Sequence, residues 1–303
     1  MTERMRVDEF LTSLLAICRP LEPFDLPLLD AHGATLAEDI YAGERLVLKA
    51  GTRIRSTQIG LAASIGRDHL PSRPQPRVVV LSAGPDLVQP GTTLESDEEF
   101  ETNSWLLTTA VREVGAVAYR VHSIPDDEDQ LRAVIEDQLV RADLILISGE
   151  RRNESFDLIT RTLSKLGEIT AVDLAIESSG YHNFGTIGPD KTPVVTLPGD
   201  PISAYISFEL FVRPMLRTML GTPMIHRPSI QAKLESAVKS QSGERAYIRA
   251  ILSEDGKSVK ALPSQDEQST LSDANAFIAV GENENELAAG STVTVVVLER
   301  RYI

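Results

Sequence analysis

The sequence predicts an α/β protein in three parts: an amino-terminal portion, a central sheet of parallel strands with crossover helices, and a small β-barrel or sandwich at the end. Strand and helix patterns alternate through the middle of the chain, which implies parallel strands. Beyond Gly221-Thr222-Pro223 the pattern changes to short alternating segments split by turns, the mark of a small all-β unit. Before the sheet lies Pro71-Ser72-Arg73-Pro74-Gln75-Pro76, rigid and polar as a domain boundary should be.

The elements follow in order. Val7, Leu11, Leu14, Leu15 and Cys18 recur at helical spacing, so residues 6–18 are predicted as an amphipathic helix ended by Pro20 and Pro23. Residues 27–40 read as a strand, a turn at Gly33, then a short helix or strand. Gly43 to Thr52 is an alternating segment ending in a turn, and a helix follows over 56–64. Val78 to Leu81 and Leu144 to Ile147 are short apolar runs, as expected of buried parallel strands. Helices are predicted over 104–114, 128–141 and 156–166, and further strands over 116–121, 169–173 and 194–197. Pro201 to Leu220 reads as one long apolar helix. In the last block, Tyr247 to Leu252 and Thr292 to Leu298 alternate, Asp255-Gly256 marks a turn, and Glu282 to Glu286 is expected to be a solvated loop.

The chain has 303 residues, 42% of them hydrophobic, ample for a sizeable core. A formal net charge of -14 repels phosphate backbones, so nucleic acid is not an expected partner. One cysteine, Cys18, makes no internal disulfide and reads as core, which fits a reducing compartment. No apolar stretch follows the charged start MTERMRVDEF, and no run is long enough to span a membrane, so a cytoplasmic location is expected.

In an open parallel sheet, ligands bind beyond the carboxyl ends of the strands. Four such ends carry small, polar or glycine residues: Ser82-Ala83-Gly84-Pro85-Asp86, Thr102-Asn103-Ser104, Ser148-Gly149-Glu150 and Leu197-Pro198-Gly199-Asp200-Pro201. Glycines let backbone approach a ligand, and helix amino termini attract anions. Each motif alone is also an ordinary turn.

Taken together and in order, these segments resemble the MoeA/gephyrin family of molybdopterin molybdenumtransferases. The family's STGDEL corresponds to Ser82 to Leu87, its DSNS to Glu101 to Ser104, its VPDD to Ile124 to Asp127, and its LPGNPVSA to Leu197 to Ala204. Phe208 to Pro214 nearly copies FELFVRP, and Leu36 to Asp39, Ala50 to Ile54 and Leu271 to Ala276 match as well. The resemblance covers the whole chain. It implies a MoeA-like multidomain homodimer with an elongated domain I over 1–75, an α/β molybdopterin-binding-like domain III over 76–222, and a β-barrel domain IV over 223–303.

The departures are informative. The family's second domain would leave after LAEDVYA and rejoin before GExLxxAGT; here Gly43 follows Ala42 directly, so domain II is absent at the 42/43 junction. The SGGVSxGDYD loop reads Ser148 to Asp157, with Glu150 and Glu154 in place of glycines and Arg151 and Arg152 between them. The MKPGKP segment falls on Ile176 to His182; both lysines are gone and Glu177 lies near the first. Trading a cation for a glutamate in a desolvated pocket turns attraction for an anionic pterin into repulsion.

From this the preferred expectation is a gephyrin-like scaffold with a degraded pterin site and no cofactor. Resemblance to gephyrin's peptide groove implies contacts from Asp8, Phe10, Leu11 and Tyr247, with Gly281 where that groove has a proline, and a partner peptide such as the tail of the division protein FtsZ. The alternative is a molybdenumtransferase using Mg2+ and molybdopterin. In it Asp86 and Asp157 are the residual catalytic carboxylates, and Ser82, Gly84, Asn103, Ser148, Gly149, Pro198, Gly199, Asp200 and Pro201 hold the ligand. A third possibility is a carrier that binds the pterin without inserting metal.

Overall fold

The computed structural model describes residues 4–84, 87–96, 98–121, 127–149, 154–177, 180–241, 243–263 and 267–299. Helix α1 (Val7–Ala16) turns Val7, Phe10 and Leu14 to one buried face. That face packs into the core of the central sheet, beside Phe184, Phe208 and Phe211. The next elements are β1 (Phe24–Pro27), β2 (Thr35–Leu36), β3 (Ile40–Ala42), β4 (Arg45–Leu48), α2 (Ser56–Ser64) and β5 (His69–Arg73). They enclose a separate core that includes Leu36, Ile40, Ile54 and Leu70.

Two details differ from expectation here. The proline-rich segment is not all linker: Pro71 sits inside β5, the middle strand of a sheet ordered β1-β5-β2, opposite Asp25. Its carbonyl still accepts a bond from the Ala37 N–H at 2.7 Å, so only the donor is forfeited. At the 42/43 junction, β3 and β4 form a hairpin in which Ala42 faces Arg45 across Gly43 and Glu44. Gly43 has φ +62°, the left-handed backbone that such a two-residue loop requires. The chain therefore closes on itself at the 42/43 junction, where the resemblance implies a missing domain.

The central unit comprises β6 (Arg77–Ala83), the two-residue strands β7 (Leu87–Val88) and β8 (Glu99–Phe100), α3 (Asn103–Val114), β9 (Val117–Val121), α4 (Glu128–Leu139), β10 (Leu144–Gly149), α5 (Glu154–Leu166), β11 (Gly167–Asp173), β12 (Tyr181–Ile187), β13 (Thr192–Pro198), α6 (Pro201–Ser207) and α7 (Arg213–Met219). The sheet order is β11-β12-β13-β10-β6-β9. β13, β10, β6 and β9 are parallel, as predicted, but β12 runs antiparallel to both β13 and β11, so the sheet is mixed. Strand β12 was not foreseen. Both faces are covered: Val78, Val80, Leu144 and Leu146 face one layer, and Val79, Leu81, Ile145 and Ile147 the other.

The predicted helix from Pro201 to Leu220 is interrupted by a π-helical turn over Phe208–Val212, where the Arg213 N–H donates to the Phe208 carbonyl. Pro214 supplies the reason. It has no N–H to donate and its ring would press on the carbonyl of Leu210, and a widened turn relieves both conflicts.

The last unit contains β14 (Ser229–Leu234), β15 (Val238–Lys239), β16 (Ala246–Leu252), β17 (Ser258–Ala261), α8 (Glu267–Asp273), β18 (Ala276–Val280), β19 (Glu286–Leu287) and β20 (Thr292–Val297). Five strands close into a barrel in the order β14-β17-β16-β18-β20, which leaves no open edge. The acidic run is only partly a solvated loop, because Glu282 is half-buried and pairs with Arg6 and Arg245. Barrel and sheet are joined through backbone: Ile176 bridges Arg245, and the Glu177 N–H donates to the Arg245 carbonyl at 2.9 Å. Among the described residues no helix is long and apolar enough to cross a membrane.

Candidate functional site

Register brings three of the predicted loops together. Ser148 lies opposite both Ser82 and Leu197, and Gly149 opposite both Ala83 and Pro198, so β6, β10 and β13 end side by side. Ser148 and Ser82 are buried, and the Ser148 hydroxyl donates to the Ser82 hydroxyl at 3.1 Å. Asn103 opens α3 and is only 6% exposed. Its Nδ2 donates to the Gly199 carbonyl at 2.6 Å, tying α3 to the loop after β13. Its Oδ1 is hidden from solvent and has no donor facing it. A buried acceptor without a donor costs about 1–3 kcal/mol, so this atom marks a place where a donor from a ligand would be repaid.

Neighbouring groups are already committed. The Asp200 carboxylate caps α6, accepting from the Ser203 N–H at 2.8 Å and the Ser203 hydroxyl at 2.6 Å. A Cβ on Gly84 would lie 2.8 Å from Leu87 Cδ1, so a side chain there would force the Leu87 side chain to shift. Gly149 is not so restricted: a Cβ would meet Ala83 at 3.5 Å, an ordinary contact. Sequence reasoning gave Glu101 no role, yet it fills the amino terminus of α3. Its Oε1 accepts the Ser104 N–H at 2.7 Å, its Oε2 accepts the Ser104 hydroxyl, and Arg120 lies 3.5 Å away. Arg120 in turn stacks over Trp105 at 3.8 Å. The anion-attracting end of α3 is thus served by the protein's own carboxylate.

Asp157 is exposed on α5 with no ion-pair partner among the described residues; the other expected carboxylate, Asp86, lies outside the described residues, as do Glu150, Arg151 and Arg152. The glutamate expected to oppose a pterin is engaged elsewhere: the Ser240 hydroxyl donates to the Glu177 carboxylate at 3.3 Å. His182, in the same segment, is fully buried between the rings of Phe10 and Phe211. Burial pushes its pKa down to about 4.

Next to the strand ends, a cavity of about 530 Å³ opens between α3, α6 and the barrel, with Thr102, Pro201, Tyr205, Arg213, Arg227 and Leu271 in its wall. Glu209, almost wholly buried, receives two bonds from Arg227, at 2.7 and 2.8 Å, and lies 3.8 Å from Arg213. Arg213 Nε is hidden and makes no hydrogen bond, and burial lowers the Arg213 pKa. The motif around Glu209 and Arg213 was visible in the sequence, but Arg227, beyond the inter-domain turn, gave no signal of joining it. Among the described residues no three His, Cys, Asp or Glu side chains converge to hold a metal.

Of the five residues expected in a peptide groove, three lie together. Asp8, Leu11 and Tyr247 line one cavity of about 270 Å³ between α1 and the barrel. Arg245 holds Asp8 through two bonds, at 2.7 and 2.9 Å, which keep that carboxyl below its usual range. Burial pushes the Tyr247 phenol up. Phe10 does not belong to the groove wall. It is 0% exposed and packs against Phe184 and Phe211 at 5.4 and 4.8 Å, because the helical face that holds Val7 and Leu14 also holds Phe10. Gly281 lies outside the cavity lining, and its N–H donates to Glu284 at 2.9 Å.

A mixed α/β sheet with a polar cleft at its strand ends, followed by a closed five-stranded barrel, defines the class of protein. Residues 80–218 match the family model described as a probable molybdopterin binding domain, and residues 231–298 match the MoeA C-terminal region, domain IV. The chain belongs to the MoeA family. It is 34% identical over 272 residues to Molybdopterin molybdenumtransferase 2 of Mycobacterium tuberculosis, covering 87% of this chain and 66% of that protein. It is 24% identical to gephyrin of Dictyostelium discoideum, over 98% of this chain and 45% of that one. The chain thus spans just under two thirds of the molybdenumtransferase it matches. In fold it is similar to the molybdopterin biosynthesis MoeA protein of Pyrococcus horikosii, with TM-score 0.85, 20% identity and 98% of this chain covered.

Proposed function

We propose that this chain binds a molybdopterin-type ligand at the carboxyl ends of β6, β10 and β13 and acts in molybdenum cofactor biosynthesis as a molybdenumtransferase homologue. The observation that carries this reading is the buried, undonated Oδ1 of Asn103 at the meeting point of the strand ends. The residues present suit the polar edge of a pterin: an acceptor in Asn103, hydroxyls in Ser82 and Ser148, and the backbone of Gly149 and Gly199. The neighbouring cavity adds the guanidinium of Arg213 for negative charge. The electrostatic objection raised by the sequence is weakened, since the Glu177 carboxylate is bonded to Ser240. Resemblance to named molybdenumtransferases supports metal insertion as the activity, with Mg2+ as the divalent ion. The test is native mass spectrometry of the purified protein mixed with molybdopterin, followed by molybdate-dependent cofactor formation. A bound pterin with turnover supports the reading, a bound pterin without turnover reduces it to a carrier, and no bound pterin overturns it.

A second reading rests on the cavity shared by Asp8, Leu11 and Tyr247. An apolar wall beside a charged pair suits a short peptide carrying one aromatic or aliphatic anchor. In this reading the chain is a homodimeric cytoplasmic scaffold, and the FtsZ tail is the partner to try first. Isothermal titration with that peptide against wild type and Tyr247→Ala decides it, and equal heats from both proteins count against the groove.

A further inference from the structure

A third cavity, of about 160 Å³, lies at the seam where the amino-terminal portion meets the ends of α3 and α7. Its wall includes Thr35, Arg53, Gly115, Arg217 and Thr222. Thr35 bridges Arg53 on one side and pairs with Arg73 in β5 on the other. Residues directly opposed on antiparallel strands share a face, so the side chains of Arg53, Thr35 and Arg73 stand in one row. Arg73 reaches the backbone at the end of α7: a Cβ on Gly221 would lie 2.6 Å from Arg73 Nε.

The charge here is not balanced by the protein. The chain carries 44 Asp and Glu against 30 Lys and Arg, so an arginine has acids in abundance to pair with. Among the described residues none of Arg53, Arg73 and Arg217 has a carboxylate within ion-pair distance. Arg73 and Arg217 bond to backbone: Arg73 donates to the Leu21 carbonyl, and Arg217 Nε to the Met224 carbonyl at 3.0 Å. Arg217 feels the consequence, since burial and then the charges of Arg53 and Arg227 lower its pKa. Arg53 and Arg73 flank Thr35 in this row, so their like charges repel across it. The carboxyl ends of α3 and α7 point into this seam and offset part of the repulsion. At about half an elementary charge each, they supply roughly one negative charge against three positive ones.

We propose that this seam is a binding site for a phosphate-type oxyanion, held by Arg53 and Arg217 with Arg73 beside them and the Thr35 hydroxyl within the same wall; the Thr222 hydroxyl is spent on the Arg217 carbonyl at 2.9 Å. Guanidinium groups match the geometry of phosphate oxygens, and Gly115 at φ +102° leaves the wall open beside Arg53, whose Nη2 would lie 3.9 Å from a Cβ there. The site is separate from the strand-end cleft and does not depend on the function proposed for it. The anion is either free phosphate or the phosphoryl group of a small metabolite.

The experiment is isothermal titration at low ionic strength with inorganic phosphate and, separately, with glycerol 3-phosphate. Wild type, Arg53→Ala, Arg217→Lys and a barrel control, Lys260→Ala, are compared. Arg53 is exposed, so its replacement leaves the fold intact. The expected result is one saturable site, weakened at least ten-fold by Arg53→Ala, weakened less by Arg217→Lys, and unchanged by Lys260→Ala. Tighter binding of inorganic phosphate identifies the free ion, and tighter binding of the ester identifies a phosphorylated metabolite. The absence of saturable binding by both probes, or equal affinity in wild type and Arg53→Ala, overturns the proposal.

Discussion

At the strand ends of the central sheet a buried amide oxygen, Asn103 Oδ1, faces no donor, whereas in the groove between α1 and the barrel the charged side chains are bonded to one another. Asp8 is gripped by Arg245, and Arg245 also meets Glu282 at 3.4 Å. The strand ends are built of neutral Ser, Asn and Gly and leave an acceptor open, whereas the groove is built of charged residues that satisfy one another. An open acceptor in a place water does not reach is a cost to the folded chain, and it is offset only when something binds. A closed network costs little and joins two units. The strand ends are therefore read as a ligand site first, and the groove as a joint that a peptide would have to enter through its apolar part.

That contrast is best broken from the groove side. Phe10→Ala is expected to have the largest effect, a loss of about 3–5 kcal/mol in denaturant unfolding, because the ring is wholly buried in an aromatic cluster. A loss below about 1 kcal/mol would return Phe10 to the groove wall. Arg227→Leu should cost roughly 3 kcal/mol, since it leaves the buried Glu209 carboxylate without its two-bond partner, with Arg213 at 3.8 Å and the Tyr205 phenol beside it.

Acid provides a third test. Buried neutral His182 has a folded pKa lowered from its ordinary 6.5 to about 4. Its contribution is complete above pH 6.5 and is lost as pH falls through that window towards 4, by roughly 3 kcal/mol in all. The imidazole proton shifts, followed by NMR, should show no titration above pH 5, and a midpoint near 6.5 would place the ring in water. The smallest effect is expected from Asp8→Asn, within about 1 kcal/mol, because Asp8 is largely exposed and solvent screens its pair. A loss of several kcal/mol in that variant would mean that the joint holds the barrel in place.

Much of this was legible in the sequence where local pattern decides structure. The helix over Ser56–Ser64, the apolar runs that became β6 and β10, and the turn at Asp255-Gly256 were read from propensity and period alone. Strand β12 was not, because Tyr-His-Asn-Phe-Gly-Thr-Ile shows no apolar run, and its buried polar residues find partners that only the fold brings near: His182 meets the Ser207 hydroxyl, and Asn183 donates its backbone N–H to Thr196 and its Nδ2 to Thr160, while its Oδ1 stays without a donor. The π-helical turn escaped because a single proline in an apolar stretch marks a conflict without saying how the backbone resolves it. At the site, Ser82, Asn103 and Ser148 stood out by motif, but the open valence of Asn103 and the Arg227–Glu209 pair exist only across long sequence separations.

The most direct measurement is the affinity of molybdopterin for wild type and for Asn103→Ala, taken by titration calorimetry alongside the unfolding free energy of each protein. If the undonated oxygen marks the ligand site, affinity falls ten-fold or more while stability changes by no more than about 2 kcal/mol. Equal affinity in the two proteins would contradict a ligand site built around Asn103.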